Sequence, residues 1–271
     1  MQEREMYLFL CSIYRISQEE IDILKAQFGK LEVLMYLDEK EILKNKNLNS
    51  KLLKNIVKYR SHSRIENIKG VLEEKDIQYV CFSDDDYPES LKHIQMPPPI
   101  LFYKGDISIL DNRNNIAVIG SRAPTNYGLY CVRKYAKELS DIGIDSEAHL
   151  ACMNGRFGKT VAVLGSPIDN ILPSRNRKIA DKILENGGII VSEFFLGSKV
   201  HPLNFSFRNR IISGLSDKVI VVEAREKSGS LITVEWALEQ GKDVMAVPGR
   251  VGEKLSDGCN RLIRAGAGII T

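Results

Sequence analysis

The amino-acid sequence predicts an α/β fold: a parallel sheet with helices on both faces, preceded by a small all-α module. Three observations carry this expectation. Five short apolar runs, at 116–119, 161–164, 189–191, 219–222 and 244–247, alternate with helical stretches. Strands that are apolar on both sides belong to sheets covered on both faces. The residues before position 76 instead place apolar side chains at helical spacing behind capping signals. The first run of the series then ends in Gly120-Ser121-Arg122, a turn from strand to helix. The chain thus divides into a helical module over 1–75 and an α/β domain over 76–271.

Taken in order, Ser17-Gln18-Glu19-Glu20 is a capping box opening a helix with Ile21, Leu24 and Phe28 on one face and Gly29 as its stop. Asp38 and Glu41 repeat the signal, and Ser50 is expected to cap a third helix with Leu52, Leu53, Ile56 and Val57 inside. Residues 40–60 carry seven Lys and Arg against Glu41 alone, a stretch read as a solvated helical face. Residues 79–82 read as a strand, 84–88 as a turn, and 100–103 as a short strand after three prolines. A helix is expected from about Asn126 to Ser140 and another from Asp145 or Ser146. Only Asp141 to Ile144 lies between them, about 13 Å of extended chain and shorter than a usual strand. A right-handed parallel crossover requires a strand there, so the sheet as written is expected to lack one. An internal deletion of about ten residues would explain it.

Composition narrows the function. Net charge is +3, with 44% hydrophobic and 27% charged residues, as in an ordinary soluble globular protein. No run approaches the ~20 apolar residues of a membrane span, and the acidic start lacks the basic flank of a secretory signal. Five scattered cysteines, never paired as Cys-x-x-Cys, fit a reducing cytoplasm and exclude a disulfide framework or a zinc site. Four histidines without a ligand spacing predict no metal. No cofactor fingerprint stands in the sequence, because the turn after residue 119 lacks the Gly-x-Gly-x-x-Gly spacing.

Three segments could hold a polyanion. Gly120, Ser121 and Arg122 set backbone N–H groups and a guanidinium at the carboxyl edge of the sheet. Ser228, Gly229, Ser230 and Thr233 repeat the arrangement after residue 223, with an ordinary turn capped by Ser230 as the alternative. Phe205, Phe207, Arg208, Asn209 and Arg210 combine aromatic faces for bases with guanidinium groups for phosphates. The alternative for Phe207 and one arginine is a core ring beside an ion pair with Glu193 or Glu223. No nucleophile and base stand together: Asp145, Glu147 and His149 spread around a helix, and His149 reads as a structural hydrogen-bonding group. Trp236, Ala237 and Leu238 read as core.

Together these segments resemble the DprA/Smf family. The matching stretches run in family order from about residue 85: Ala117–Arg122, Ile144–His149, Thr160–Gly165, Phe205–Ser216, Ser228–Thr233, Ala246–Gly249 and Gly258–Ile263. The resemblance implies an extended Rossmann-like domain behind a sterile-alpha-motif-like or helix-hairpin-helix module. It also implies a homodimer that binds single-stranded DNA and delivers it to the RecA recombinase in natural transformation, with no catalytic residues. Three departures are visible. Ser206 replaces the family's proline, a winged-helix-like module has no counterpart before Thr271, and the glycine-rich Ser-Gly-x-Ala-x-Gly segment with its strand is missing after Gly143. The rival reading is a Lonely Guy or lysine-decarboxylase-like nucleoside monophosphate phosphoribohydrolase. That group carries Pro-Gly-Gly-x-Gly-Thr where this chain has Ser228–Thr233. A dimeric scaffold that only recruits partners is a third reading.

Overall fold

The computed structural model describes residues 2–111, 115–138, 146–153 and 159–271. Helices α1 (Glu3–Ile13), α2 (Gln18–Phe28), α3 (Glu39–Leu43), α4 (Ser50–Tyr59) and α5 (His62–Glu74) form the N-terminal part. Their ends follow the sequence signals. The Ser17 hydroxyl accepts from the Glu20 N–H at 3.1 Å while the Glu20 carboxylate returns to the Ser17 N–H at 3.0 Å. The helix stops at Gly29 with φ 78°, backbone that a side chain would strain. Asp38 caps α3 through the Lys40 N–H. The cap of α4 is Asn49, one residue before the expected Ser50, because its Oδ1 reaches the Lys51 N–H at 2.9 Å. Lys44, Lys46, Lys51, Lys54 and Lys58 are all exposed, as a solvated face requires.

The remainder runs β1 (Gln78–Cys81), α6 (Glu89–Lys92), β2 (Ile100–Gly105), β3 (Ile116–Ile119), α7 (Asn126–Glu138), α8 (Ser146–Met153), β4 (Val161–Val163), α9 (Arg177–Glu185), β5 (Ile189–Ser192), α10 (Leu203–Gly214), β6 (Lys218–Val221), α11 (Gly229–Glu239), β7 (Asp243–Ala246), α12 (Asp257–Arg264) and β8 (Gly268–Ile269). Each expected strand forms within two residues of its predicted bounds; β8 was not expected. The fold is α/β, with helices over parallel strands, but the strands form two sheets rather than one. The first has the order β1-β2-β5-β4 and the second β3-β6-β7-β8. The second is parallel throughout, whereas β2 runs antiparallel to both β1 and β5.

Packing explains how the halves stay together. One apolar cluster joins Val161, Val163 and Val191 of the first sheet to Ala117, Ile119 and Val221 of the second, together with Ile211 and Ile212 of α10 and its C-cap residue Leu215. On the opposite face the two sheets have separate clusters. Val118 and Ile220 pack with Cys131 and Tyr135 of α7 and Ala148 of α8. Phe102, Ala162 and Ile190 share a core with Met6, Leu10, Leu24, Leu52 and Ile56, so the helical part and the first sheet are one apolar unit. The change of grammar near residue 75 marks a change of element type, with the core continuing across it.

Among the described residues β3 pairs with β6 alone and β4 with β5 alone. The junction at Gly143–Asp145, where a strand was expected to be missing, lies outside the described residues. His149 is buried, with Nδ1 2.6 Å from the Thr160 hydroxyl, a structural contact as expected. Ala237 is core and Trp236 half-buried, but Leu238 is 60% exposed: it falls on the outer side of α11 and is corrected from a core residue to a surface one.

Candidate functional site

Parallel strands β3 and β6 are neighbours, so the turns leaving their carboxyl ends lie side by side, the usual ligand edge of such a sheet. Helix α10 crosses the same edge. The three segments enclose a cleft of about 440 Å³. Gly120, Ser121 and Arg122 form one wall; Ser228, Gly229, Ser230 and Thr233 form the second; Phe205, Arg208 and Asn209 form the third. Ten of the twelve residues singled out in the sequence therefore meet in one place.

The remaining two are excluded by helical geometry. Residues 205, 208, 209 and 212 fall on one face of α10 and line the cleft. Phe207 and Arg210 fall on another face. Arg210 is 1% exposed and forms a bidentate pair with Glu193 at 2.8 and 2.7 Å. Its Nε donates to the Met96 carbonyl at 2.9 Å. The guanidinium stacks 3.8 Å from the centre of the Phe207 ring, and Arg15 approaches the same ring at 4.5 Å. Arg210 and Phe207 are thus corrected from cleft residues: Arg210 belongs to a buried ion pair, and Phe207 is the half-buried ring on which its guanidinium stacks. Arg15 also covers Phe194 at 5.2 Å, so it ties the helical part both to α10 through Phe207 and to the segment after β5.

Two cations were not anticipated. Arg225 and Lys227, both exposed, stand on the loop between β6 and α11 and face the cleft beside Arg122 and Arg208. Their signal was available: basic residues directly after an apolar strand lie at the sheet's carboxyl edge. Four cations and no carboxylate line this cleft among the described residues. Arg208 also donates to Asn209 Oδ1 at 3.2 Å and to the Val163 carbonyl. The Phe205 ring packs on Gly165, where a Cβ would overlap it.

Both expected backbone cradles are partly used by the protein. Glu223, 4% exposed, sends its carboxylate to the start of α7, accepting from the Thr125 N–H at 2.9 Å and the Thr125 hydroxyl at 2.5 Å. That hydroxyl accepts from the Gly128 N–H at 3.1 Å. An internal anion therefore neutralises the positive end of α7, and the expectation of free N–H groups there is corrected. At α11 the cap is Ser228, not Ser230: its Oγ accepts from the Ser230 N–H at 3.4 Å. The capacity of the cleft to hold an anion rests on side chains.

A larger cleft of about 920 Å³ adjoins the first and shares Gly120, Ser121, Arg122, Phe205 and Arg208 with it. Among the described residues no cluster of His, Cys, Asp or Glu could hold a metal, and no helix is long and apolar enough to cross a membrane.

Comparison with known proteins gives concordant results. The family model of DNA recombination-mediator protein A matches residues 78–271. The chain is 42% identical over 198 residues to the DNA processing protein DprA of Streptococcus pneumoniae, covering 69% of each. It is similar to the X-ray structure of DNA processing protein A from that organism, with TM-score 0.84 and 30% identity over 100% of this chain and 96% of the other. DNA processing protein A from Helicobacter pylori gives TM-score 0.64 and 30% identity over 71% of this chain and 91% of that one.

Proposed function

The chain belongs to the DNA recombination-mediator protein A family, and on that premise we propose that it binds single-stranded DNA in the 440 Å³ cleft. The single observation that carries this reading is the convergence of Arg122, Arg208, Arg225 and Lys227 with Phe205 in one cleft without a carboxylate. Guanidinium and ammonium groups track a phosphate backbone, and an aromatic ring supplies a stacking face that any base can use. The related protein from Helicobacter pylori binds single-stranded DNA. In this reading the protein protects an incoming strand and loads the RecA recombinase onto it during natural transformation. It acts as a homodimer and by binding alone, without covalent chemistry.

The nucleoside monophosphate reading fits less well. A terminal phosphate would need the N–H groups at the starts of α7 and α11, and Glu223, the Thr125 hydroxyl and Ser228 already accept from three of them. Gel shifts with labelled single-stranded and duplex oligonucleotides test the proposal, alongside hydrolysis assays with nucleoside monophosphates. With four phosphates neutralised at ~0.7 each, log K should fall against log salt with a slope near about −3. A flat salt dependence, a preference for duplex, or turnover of the monophosphates would overturn it.

A further inference from the structure

The positive charge of this chain is concentrated in one stretch of the helical part. Residues 42–65 carry seven lysines and arginines and no acid, whereas the rest of the chain has 31 against 35 aspartates and glutamates. The two arginines of the stretch are engaged inside the fold. Arg60 donates to the carbonyls of Leu34 and Leu37, and Arg64 to the hydroxyl and carbonyl of Ser12. Lys44, Lys46, Lys51, Lys54 and Lys58 are exposed, and among the described residues none of the five makes an ion pair. Other lysines of the helical part do find acids: Lys25 meets Glu3 at 2.5 Å, Lys69 meets Glu5 at 3.0 Å and Lys75 meets Asp169 at 3.3 Å. Local structure gathers the five. Buried Asn45 braces the loop between α3 and α4, its Oδ1 accepting from the Asn47 and Leu48 N–H groups at 2.8 and 3.1 Å, and Lys44 and Lys46 flank it. On α4, Leu52, Leu53 and Ile56 are buried, which leaves Lys51, Lys54 and Lys58 on the outer face at helical spacing. Like charges three and four residues apart destabilise a helix, and an anionic surface laid on that face relieves the repulsion.

We infer that the outer face of α4 and the loop before it form a second nucleic-acid surface, which takes the phosphate backbone of duplex DNA. The inference is independent of the single-strand reading, because none of the five lysines lines either cleft. Lysine ammonium groups are mobile point charges, suited to a field of phosphates rather than to one fixed anion. Lys51 to Lys58 spans about 10 Å at ~1.5 Å per residue, and a duplex presents one charge per ~1.7 Å of its axis. The tyrosine of the stretch, Tyr59, carries Lys58 and Arg64 on its ring at 4.9 and 5.4 Å. The surface therefore supplies charge without the free stacking faces that hold a single strand. A membrane-lying helix inserts apolar side chains beside its cations, whereas those of α4 are turned into the core. A protein interface is anchored by apolar or aromatic groups at its centre. The exposed positions of α4 are Ser50, Lys51, Lys54, Lys58 and Tyr59, with no aliphatic anchor among them.

The test compares the intact protein with the triple variant Lys51→Gln, Lys54→Gln, Lys58→Gln, using fluorescence anisotropy of a labelled duplex oligonucleotide and of its labelled single strand. The variant should lose about tenfold or more in duplex affinity at low salt. Its plot of log K against log salt should be shallower by about 2.7, from ~0.9 per phosphate contact on a duplex. Its single-strand affinity should stay within about threefold of the parent, a margin inside the tenfold that ~1.4 kcal/mol represents. Its melting temperature should not fall, since only exposed like charges are removed. A control with the same loss of charge on other exposed lysines, Lys178→Gln, Lys182→Gln, Lys199→Gln, should bind the duplex like the parent. Unchanged duplex binding by the first variant would overturn the inference, as would an equal loss in the control or a parallel loss on the single strand. Lysine-dependent binding to phosphatidylserine vesicles without binding to the duplex would overturn it in favour of a membrane.

Discussion

Replacing Arg210 with alanine separates a structural arginine from a nucleic-acid contact. The change removes two charge-assisted bonds to Glu193, the bond to the Met96 carbonyl and the cation stacked on Phe207. It leaves a carboxylate whose side chain is 8% exposed without its counter-charge. Removing one member of a buried pair costs about 3–5 kcal/mol, most of it the stranded charge. For a chain of this size each kcal/mol lowers the melting temperature by about 2–4 °C, so Arg210→Ala should melt about 6–20 °C below the parent. The double variant Glu193→Gln, Arg210→Met removes both charges at similar volume and should recover most of the loss. Single-strand affinity of each variant, measured by fluorescence anisotropy at a temperature where it is folded, should stay within about threefold, inside the ~1.4 kcal/mol of a tenfold change. The reasoning is refuted if Arg210→Ala melts like the parent yet loses tenfold or more in DNA affinity. That result would place Arg210 on the DNA.

Four further outcomes are expected. Arg122→Ala should keep its melting temperature and lose roughly ten- to a hundredfold in single-strand affinity, from about 1.5–3 kcal/mol per charge-assisted contact; unchanged binding removes that turn from the site. Phe205→Ala should weaken binding by about 1–3 kcal/mol if the ring stacks on a base, and an unaltered gel shift would limit Phe205 to its contact with Gly165. Gly128→Ala places a Cβ against the Glu223 carboxylate and should destabilise by about 1–3 kcal/mol, read by denaturant melts. Burial raises the Cys259 thiol from its ordinary 9.0 to about 11. Its contribution to stability is full below pH 9 and is lost as pH rises toward 11, so Cys259→Ala should flatten the alkaline limb of the stability profile; an identical limb would contradict this.

The elements of the fold were legible because strand runs and capping residues are local signals. Ser17 with Glu20, Gly29, and the runs at 116–119 and 189–191 act within a few residues of themselves. The antiparallel placement of β2 beside β5 was not legible, since both strands are apolar on both faces and nothing local sets direction. The cleft was readable as three segments. Its membership was not, because the composition of residues 205–210 does not by itself say which of them share a helix face. At 100° per residue Phe205, Arg208 and Asn209 share a face and Phe207 with Arg210 leaves it. Arg225 and Lys227 carry no motif; their one signal is their place directly after the apolar run at 219–222. Glu223 reads in sequence as one acid after a strand, and its hold on Thr125, 98 positions away, is visible only in three dimensions.

The packing beneath α10 has a consequence for how this protein comes apart. In an unbroken parallel sheet, cooperativity passes from strand to strand through the ladder of hydrogen bonds. Here the ladder among the described residues stops at β3 and resumes at β4. The two halves are held as one folding unit by a layer of side chains, Ile211, Ile212 and Leu215 against Ile119 and Val163. Side-chain packing is short-ranged and is lost at once when a layer loosens. Thinning the inner face of that helix is therefore expected to loosen the halves from one another and let them unfold as separate steps, each with its own midpoint.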